Sequence, residues 1–195
     1  MKIIVFVYHF FIYFFEMSED SIDLIITILR GPSGSGKSTR AQKICESMPR
    51  PILRKRKGKA IYGKSPVVVC SADYFFTSPS GVYCFDPKRL PDAHAQCRSA
   101  FQDALKMEHV KRIVVDNTNI RMEHLMQYVD IARLSKRKFK LEIETFRVDV
   151  EDDIKICCAR NTHSVPLCVI ENQLKSFEEL PTDFDCVLIN HKIEN

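Results

Sequence analysis

Short apolar runs rich in valine and isoleucine recur along the chain, with stretches of helical character between them. The runs occupy residues 24–29, 66–70, 112–115 and 186–189. Continuous apolar runs of this kind are typical of strands, and those at 24–29 and 66–70 predict strands that a sheet buries on both faces. Because strands and helices alternate, we predict an α/β fold of three layers, with a central parallel sheet of about five strands and helices on both faces.

The segment 139–145 has a different pattern, because its apolar positions alternate with Lys140, Glu142 and Glu144. Alternation with a period of two is typical of a strand that has one face on the core and the other in water. We therefore predict a further strand here, with a wet face and a place toward an edge of the sheet.

A glycine-rich loop follows the first apolar run, and its residues are Gly31, Pro32, Ser33, Gly34, Ser35, Gly36, Lys37, Ser38 and Thr39. It matches the phosphate-binding pattern GxxxxGK[ST], and residues 37–48 after it contain no glycine or proline, which predicts a helix. Backbone N–H groups at a helix N-terminus bind phosphate, and the lysine meets the outer phosphates. The alternative, an ordinary glycine- and serine-rich loop, is disfavoured by the flanking strand and helix. We predict a nucleoside triphosphate site that uses ATP and Mg²⁺, with Ser38 as a magnesium ligand.

Two acidic residues lie near the ends of predicted strands, where an open α/β sheet binds its ligands. Asp116 directly follows the run 112–115, and Asp73 follows the run 66–70 on a loop. We predict that Asp116 organises Mg²⁺ and that Asp73 takes a proton from an acceptor hydroxyl. For each of them the alternative is an acid that only caps a local turn.

Composition narrows the class of protein. The chain has 195 residues, of which 45% are hydrophobic and 28% charged, and this predicts one globular domain. A net charge of +4 is too small to indicate a nucleic-acid binder by itself. The eight cysteines form no C-x-x-C pair, so they indicate no zinc or redox motif. Free thiols predict a reducing compartment, cytoplasmic or nuclear.

The first residues stand apart from the rest of the chain, and we assign 1–20 to an extension and 21–195 to the domain. The apolar run 3–15 is too short to span a bilayer as a helix. No small-residue cleavage site follows it, which disfavours a signal peptide. Three interpretations remain: Met17 is the true start, the run adds an element to the core, or it anchors the protein to a membrane.

A basic insert occupies residues 50–64 and carries no acid. Its basic residues are Arg50, Arg54, Lys55, Arg56, Lys57, Lys59 and Lys64. We consider three interpretations of this insert: a solvated, mobile loop, a contact with a polynucleotide, or a nuclear signal.

Five segments together resemble a known family. LRGPSGSGKST, VCSADYFF, GVYCFDPKRLPDAH, IVVDNTNI and CARNTHSVP occur in the order seen in polynucleotide-kinase-like P-loop proteins, and look most like the Nedd-four-binding protein two-like group. The resemblance covers roughly residues 24–180. It implies that Asp73 is the general base for a 5′-hydroxyl, and that Lys37 and Ser38 meet the triphosphate and Mg²⁺. It also implies that Asp116 acts with Asn119 as its companion amide.

The resemblance further implies a short lid around residues 151–166, in which Arg160 stabilises the transferring phosphoryl group. His94 matches a family histidine, or is a helix-edge residue packed by Phe101. Two departures from the pattern of this family affect the expected acceptor site. Active phage-type kinases have an arginine for the acceptor phosphate shortly after the base, where this chain has Tyr74-Phe75-Phe76. Their lid commonly has two arginines, where this chain has Ala159-Arg160.

The sequence therefore predicts a kinase that transfers the γ-phosphate of ATP to a hydroxyl, with the 5′-end of DNA or RNA as the expected acceptor. Catalysis is assigned to Asp73, Lys37 and Arg160. Two alternatives stay open at this point. One is a small-molecule kinase of the same fold, and the other is a nucleotide-binding regulatory or adaptor module with little catalysis.

Overall fold

A computed structural model describes residues 22–56, 59–148 and 151–193. The predicted extension 1–20, and with it the three interpretations of its apolar run, lies outside the described residues. Within the described ranges, no helix combines the length and the apolar character that crossing a membrane requires.

Strands and helices alternate along the chain, as the hydrophobic pattern predicts. The strands are β1 (Leu24–Arg30), β2 (Ile52–Arg56), β3 (Lys59–Tyr62), β4 (Val67–Cys70), β5 (Arg112–Asp116), β6 (Phe139–Arg147) and β7 (Val187–Lys192). The helices are α1 (Lys37–Ser47), α2 (Asp73–Phe76), α3 (Leu90–Leu105), α4 (Met122–Arg133), α5 (Glu151–Arg160) and α6 (Leu167–Lys175).

The central sheet has five strands in the order β4-β5-β1-β6-β7. All of its neighbouring strands are parallel, and Ile26 at the centre pairs with Ile113 of β5 and Leu141 of β6. The predicted parallel α/β sheet is confirmed. Since the strands are parallel, their carboxyl ends meet at one edge, where β1, β4 and β5 end side by side.

Helices cover both faces of this sheet and make the three layers. On one face, Phe101 of α3 and Leu125 of α4 are fully buried in a core with Ile28 and Val115. On the other face, the core around Leu29 is formed by apolar residues of α1 and of neighbouring strands, namely Ala41, Ile44, Val67, Val114 and Phe146. Burial of these two apolar stripes is the main force that holds the layers together.

The prediction of a wet face on β6 is wrong. The strand lies between β1 and β7, and Glu142 and Glu144 are only 8% and 0% exposed. Arg112 donates to Glu142 over 2.9 Å, and Arg40 of α1 binds both oxygens of Glu144 at 2.7 and 2.9 Å. These glutamates are buried because arginines from other elements pair with them, which is the condition for burying charge.

The basic insert contains a β-hairpin rather than an irregular loop. Strands β2 and β3 pair antiparallel, with Ile52 opposite Tyr62, and form a small sheet separate from the central one. The hydrogen bond from the Gly63 N–H to the Pro51 carbonyl, 2.8 Å long, extends the pairing. Leu53 and Tyr62 are 67% and 57% exposed, so the hairpin presents apolar surface to solvent.

Candidate active site

The phosphate-binding loop connects β1 to α1, and its shape depends on glycine at two points. Gly34 has a φ of +78° and Gly36 a φ of +101°, which side chains with a Cβ rarely adopt. A Cβ on Gly34 would lie 1.9 Å from the carbonyl oxygen of Cys157, so α5 packs directly on the loop. The Gly31 N–H donates to the Thr118 carbonyl at 2.9 Å and ties the loop to the end of β5.

Lys37 is the first residue of α1 and is only 7% exposed. Its ammonium group donates to the Pro32 carbonyl over 2.6 Å, within the loop itself. Burial lowers the pKa of Lys37 to about 8, although Asp116 opposes the shift. A phosphate on the loop would give this buried cation a counter-charge, and α1 directs its N-terminal N–H groups to the same place.

Asp116 ends β5 and is 8% exposed. Burial raises the pKa of its carboxyl group, while a hydrogen bond from Ser38 and the charge of Lys37 oppose the increase. A carboxylate and a hydroxyl beside a phosphate loop fit Mg²⁺, which typically binds one or two protein oxygens together with phosphate and water oxygens. Ser38 and Asp116 are the residues that could hold it.

Asp73 begins α2 and lines the same cavity, and its side chain is 46% exposed. Its Oδ1 accepts a hydrogen bond from the hydroxyl of Tyr83 over 3.1 Å. The Nε2 of His163, on the loop after α5, lies 3.7 Å from its Oδ2. Both neighbours are absent from the sequence prediction of the site.

Asn117 places the loop that carries Asp73. Its Oδ1 accepts from the Ala72 N–H at 2.9 Å, and its Nδ2 donates to the Tyr128 hydroxyl at 3.1 Å. The side chain therefore joins the carboxyl ends of β4 and β5. Its position directly after Asp116, within the segment IVVDNTNI, is the sequence signal that could have pointed to it.

Asn119, which the resemblance implies as the companion amide of Asp116, is bound to the end of β1. It is 2% exposed with a φ of +43°, and its amide donates to the Leu29 carbonyl at 2.8 Å. Its side chain therefore fixes the end of β1, just before the phosphate loop, and does not line the cavity.

The predicted lid, residues 151–166, consists of α5 and the loop that follows it, and α6 comes directly after this segment. Arg160 ends α5 and lines the cavity. Gln173 of α6 binds Ser33 of the phosphate loop twice, accepting from its N–H at 2.8 Å and donating to its Oγ at 3.2 Å. Sequence reasoning did not find Gln173, because it is far from Ser33 along the chain.

One cavity of about 590 Å³ brings the predicted residues together. Ser33 to Thr39 of the loop, Asp73, Asp116 and Arg160 all line it, whereas Gly31 and Pro32 shape the loop from outside. Its volume is in the range of sites for small-molecule ligands and cofactors. The sequence prediction missed the end opposite Asp73, where the rings of Phe146 and His191 stack with centroids 4.5 Å apart.

His94, whose role the sequence left open, lies half-buried on α3. Burial lowers its pKa, and the nearby His124 and Arg98 act in the same direction, while Asp73 opposes them. The histidine is therefore close enough to Asp73 to experience its charge, although it does not line the cavity.

Known proteins share both the motifs and the fold of this site. The profile described as an AAA domain matches residues 26–180, which is most of the chain. The chain belongs to the AAA domain family. Its P-loop kinase-like character, expected from the motifs, is confirmed. Human NEDD4-binding protein 2 is 27% identical over 157 residues, which confirms the expected relationship; the match covers 80% of this chain and 8% of the relative's length.

Solved structures with the same fold include a gluconokinase and a chain of an RNA repair complex. A gluconokinase from Sinorhizobium meliloti 1021 has a TM-score of 0.52 at 15% identity, over 89% of this chain and 85% of that chain. A chain of the Pnkp1/Rnl/Hen1 RNA repair complex has a TM-score of 0.57 at 19% identity, over 80% of this chain and 44% of that chain. At these identities, the similarity establishes the fold that the AAA domain shares with them.

Proposed function

We propose that this AAA domain is a phosphotransferase that moves the γ-phosphate of ATP onto a hydroxyl, with a polynucleotide 5′-end as the acceptor. The observation that carries the proposal is that the P-loop lysine Lys37 and the carboxylate of Asp73 line one cavity. Phosphoryl transfer is catalysed mainly by positioning and by charge stabilisation. The cavity contains the groups that both require, namely a phosphate cradle, a base and the cation of Arg160.

In the proposed reaction, the triphosphate lies on the N–H groups of the phosphate loop and of the first turn of α1. Lys37 meets its outer phosphates, and Arg160 approaches the γ-phosphate from the lid. Ser38 and Asp116 would hold Mg²⁺, which would supply positive charge to the phosphate oxygens. Asp73 accepts the proton of the acceptor hydroxyl while the hydroxyl oxygen attacks the γ-phosphorus, and ADP leaves.

Two features support a polynucleotide as the acceptor. The first is fold similarity to a chain of an RNA repair complex. The second is the composition of the segment 50–64, which has seven basic residues and no acid, because basic residues bind backbone phosphates without reading sequence. Eight free cysteines support a reducing location, and we propose the cytoplasm or the nucleus.

A regulatory nucleotide-binding module is the second candidate, and one observation favours it. Phe76 occupies the region where active phage-type kinases have an arginine for the acceptor phosphate. It is 6% exposed, and its ring packs against Phe75, Tyr83 and Phe85 at centroid distances of 5.1, 6.2 and 5.0 Å. This position is part of an aromatic core and offers no cation to an acceptor.

The deciding experiment uses the full chain with γ-labelled ATP and a panel of 5′-hydroxyl DNA, RNA, nucleosides and sugars. We expect label on an oligonucleotide, and Asp73→Asn should bind ATP as the wild type does while transfer falls roughly 10²–10⁴-fold. Label on a sugar alone would indicate a small-molecule kinase. ATP binding without transfer to any acceptor would support the regulatory module and would contradict the proposed function.

A further inference from the structure

Two aromatic side chains from different parts of the chain each approach one oxygen of the Asp73 carboxylate. Tyr83 donates its hydroxyl to Oδ1 over 3.1 Å, and the Nε2 of His163 lies 3.7 Å from Oδ2. The two rings pack on each other, with centroids 4.1 Å apart and planes tilted by 33°. Each carboxylate oxygen therefore has its own polar neighbour, and the neighbours hold each other in place.

The loop between α5 and α6 is organised to direct His163 at Asp73. Asn161 accepts from the His163 N–H at 3.0 Å and donates to the Val165 carbonyl at 2.9 Å, which closes the loop on itself. Ser164, the residue after the histidine, has a φ of +55°, a conformation that non-glycine residues rarely adopt. The histidine side chain remains 35% exposed, so it borders both Asp73 and water.

Tyr83 cannot help to move a proton away from Asp73. An antiparallel bridge to Thr77 and the hydrogen bond from the Cys84 N–H to the Phe76 carbonyl, 2.9 Å long, fix its backbone beside α2. Burial and then the charge of Asp73 raise the pKa of the Tyr83 hydroxyl, so it keeps its own proton and donates it in the hydrogen bond to Asp73. Among the described side chains in contact with this carboxylate, His163 is the group that can accept a proton.

We propose that His163 is a positioning and proton-relay residue for Asp73, an inference that rests on the proposed function. The acceptor O–H bond breaks as its oxygen bonds to the γ-phosphorus. The bond from that phosphorus to the bridging oxygen breaks, and its electron pair stays on ADP. The proton passes to Oδ2 of Asp73 and then to the neutral Nε2 of His163. The resulting imidazolium releases it to water, and the carboxylate is ready for the next acceptor.

The position of His163 also gives the lid a second role. His163 follows Arg160 by a few residues on the same segment, and both line the cavity. When this segment lies against Asp73, the cation for the phosphoryl group and the proton acceptor for the base arrive together.

The test compares His163→Gln and His163→Ala in the full chain, with His109→Ala as the matched control. His109 is an exposed histidine before β5, at the amino end of the sheet and remote from the cavity. Glutamine can still donate a hydrogen bond to Asp73 but cannot accept its proton, so both His163 variants should lose roughly tenfold or more in kcat. KM for ATP and ATP affinity should stay at the wild-type values, and His109→Ala should be unchanged.

Chemical rescue separates a relay from packing. Imidazole in the buffer should restore part of kcat to His163→Ala, which leaves a space, and none to His163→Gln, which fills it. Wild-type kcat in the glutamine variant, or a loss that imidazole does not reverse, overturns the relay. If the wild type labels an acceptor and Asp73→Asn does not, such a result refutes the relay alone. If the wild type labels no acceptor, the proposed function fails, and the relay fails with it.

Discussion

At the scale of single residues, Lys37 shows how the free protein prepares its phosphate site. The ammonium group is nearly excluded from water, and desolvation lowers its pKa from 10.5 to about 8. Since one pKa unit corresponds to about 1.4 kcal/mol, holding this charge costs the free protein roughly 3 kcal/mol at most. A bound phosphate would offset that cost, so binding and stability are linked through this residue.

We therefore expect Lys37→Met to stabilise the nucleotide-free protein at pH 7 by up to roughly 3 kcal/mol and to abolish ATP binding. The folded pKa lies below the unfolded one, so the unfolded state binds more protons between about pH 8 and 10.5. The wild type should gain stability as pH rises through this window, and its difference from the variant should disappear. Urea unfolding at several pH values measures both effects.

Lys43→Met is the control for this experiment, because Lys43 is an exposed lysine on the same helix. It should change neither the free energy of unfolding nor its pH dependence. A Lys37→Met variant that is less stable than the wild type at pH 7, or a stability difference that ignores pH, would mean that the lysine is not under desolvation stress.

At the scale of elements, the contact between α5 and the phosphate loop couples the lid to the nucleotide site. The loop accommodates α5 only because Gly34 has no side chain, and Gln173 of α6 binds the neighbouring Ser33 at 2.8 and 3.2 Å. Both α5 of the lid and the neighbouring α6 therefore touch the loop that would hold the triphosphate. A displacement of the lid should therefore change the affinity of the loop for a nucleotide.

Gly34→Ala tests this coupling, because its Cβ would lie 1.9 Å from the Cys157 carbonyl oxygen and α5 would have to move. We expect ATP affinity to fall at least tenfold and the free energy of unfolding to fall by more than the roughly 1–2 kcal/mol of backbone strain alone. Nucleotide titration and urea unfolding provide the two measurements.

Gly81→Ala is the matched control, since Gly81 has a similar φ of +83° and no atom lies within 4 Å of its would-be Cβ. It should show the backbone strain and leave ATP affinity unchanged. Equal losses of stability in the two variants, with wild-type ATP affinity in both, would contradict a role for the α5 contact.

At the scale of the whole molecule, charge is distributed unevenly. The net charge is +4, yet the hairpin segment 50–64 alone contains seven basic residues and no acid. The hairpin is separate from the central sheet and exposes Leu53 and Tyr62, which adds apolar and aromatic surface to the positive charge. Such a combination suits a single strand of nucleic acid, whose bases stack while its phosphates bind cations.

Changing the hairpin cations to serine should weaken oligonucleotide binding for all sequences; the residues changed are Arg54, Lys55, Arg56 and Lys57. Phosphate contacts release counterions, so the plot of log affinity against log salt should become flatter by up to roughly 0.7 per lost contact. ATP affinity should stay the same, because the phosphate loop makes its own contacts. Binding titrations at several salt concentrations measure the slope.

A second fourfold variant removes the same charge at the amino end of the sheet, by changing Lys106, Lys111, Lys136 and Lys138 to serine. Its salt slope should match the wild type. An unchanged salt slope in the hairpin variant would indicate that the hairpin is solvated and does not bind the oligonucleotide. An unchanged slope together with a change of location in cells would favour a nuclear signal.

Most of the fold could be predicted because its signals are local. Continuous apolar runs identify β1, β4, β5 and β7, and the alternation of strands and helices predicts the parallel sheet. The prediction of a wet face on β6 was wrong because the arginines that pair with its glutamates come from other elements. Arg112 pairs with Glu142, and Arg40 pairs with Glu144. An alternating pattern by itself does not distinguish a solvated strand from one whose charges are paired inside.

The sequence by itself determined the phosphate loop, since its N–H groups, its lysine and its helix are contiguous and need no distant partner. It also determined that Asp73 and Asp116 lie at one edge, because parallel strands end together. Only the tertiary structure decided what surrounds them. Four of the surrounding residues lie on segments of the chain other than those of the groups they contact, namely Tyr83, Asn117, His163 and Gln173. Such contacts depend on how the layers pack rather than on spacing along the chain.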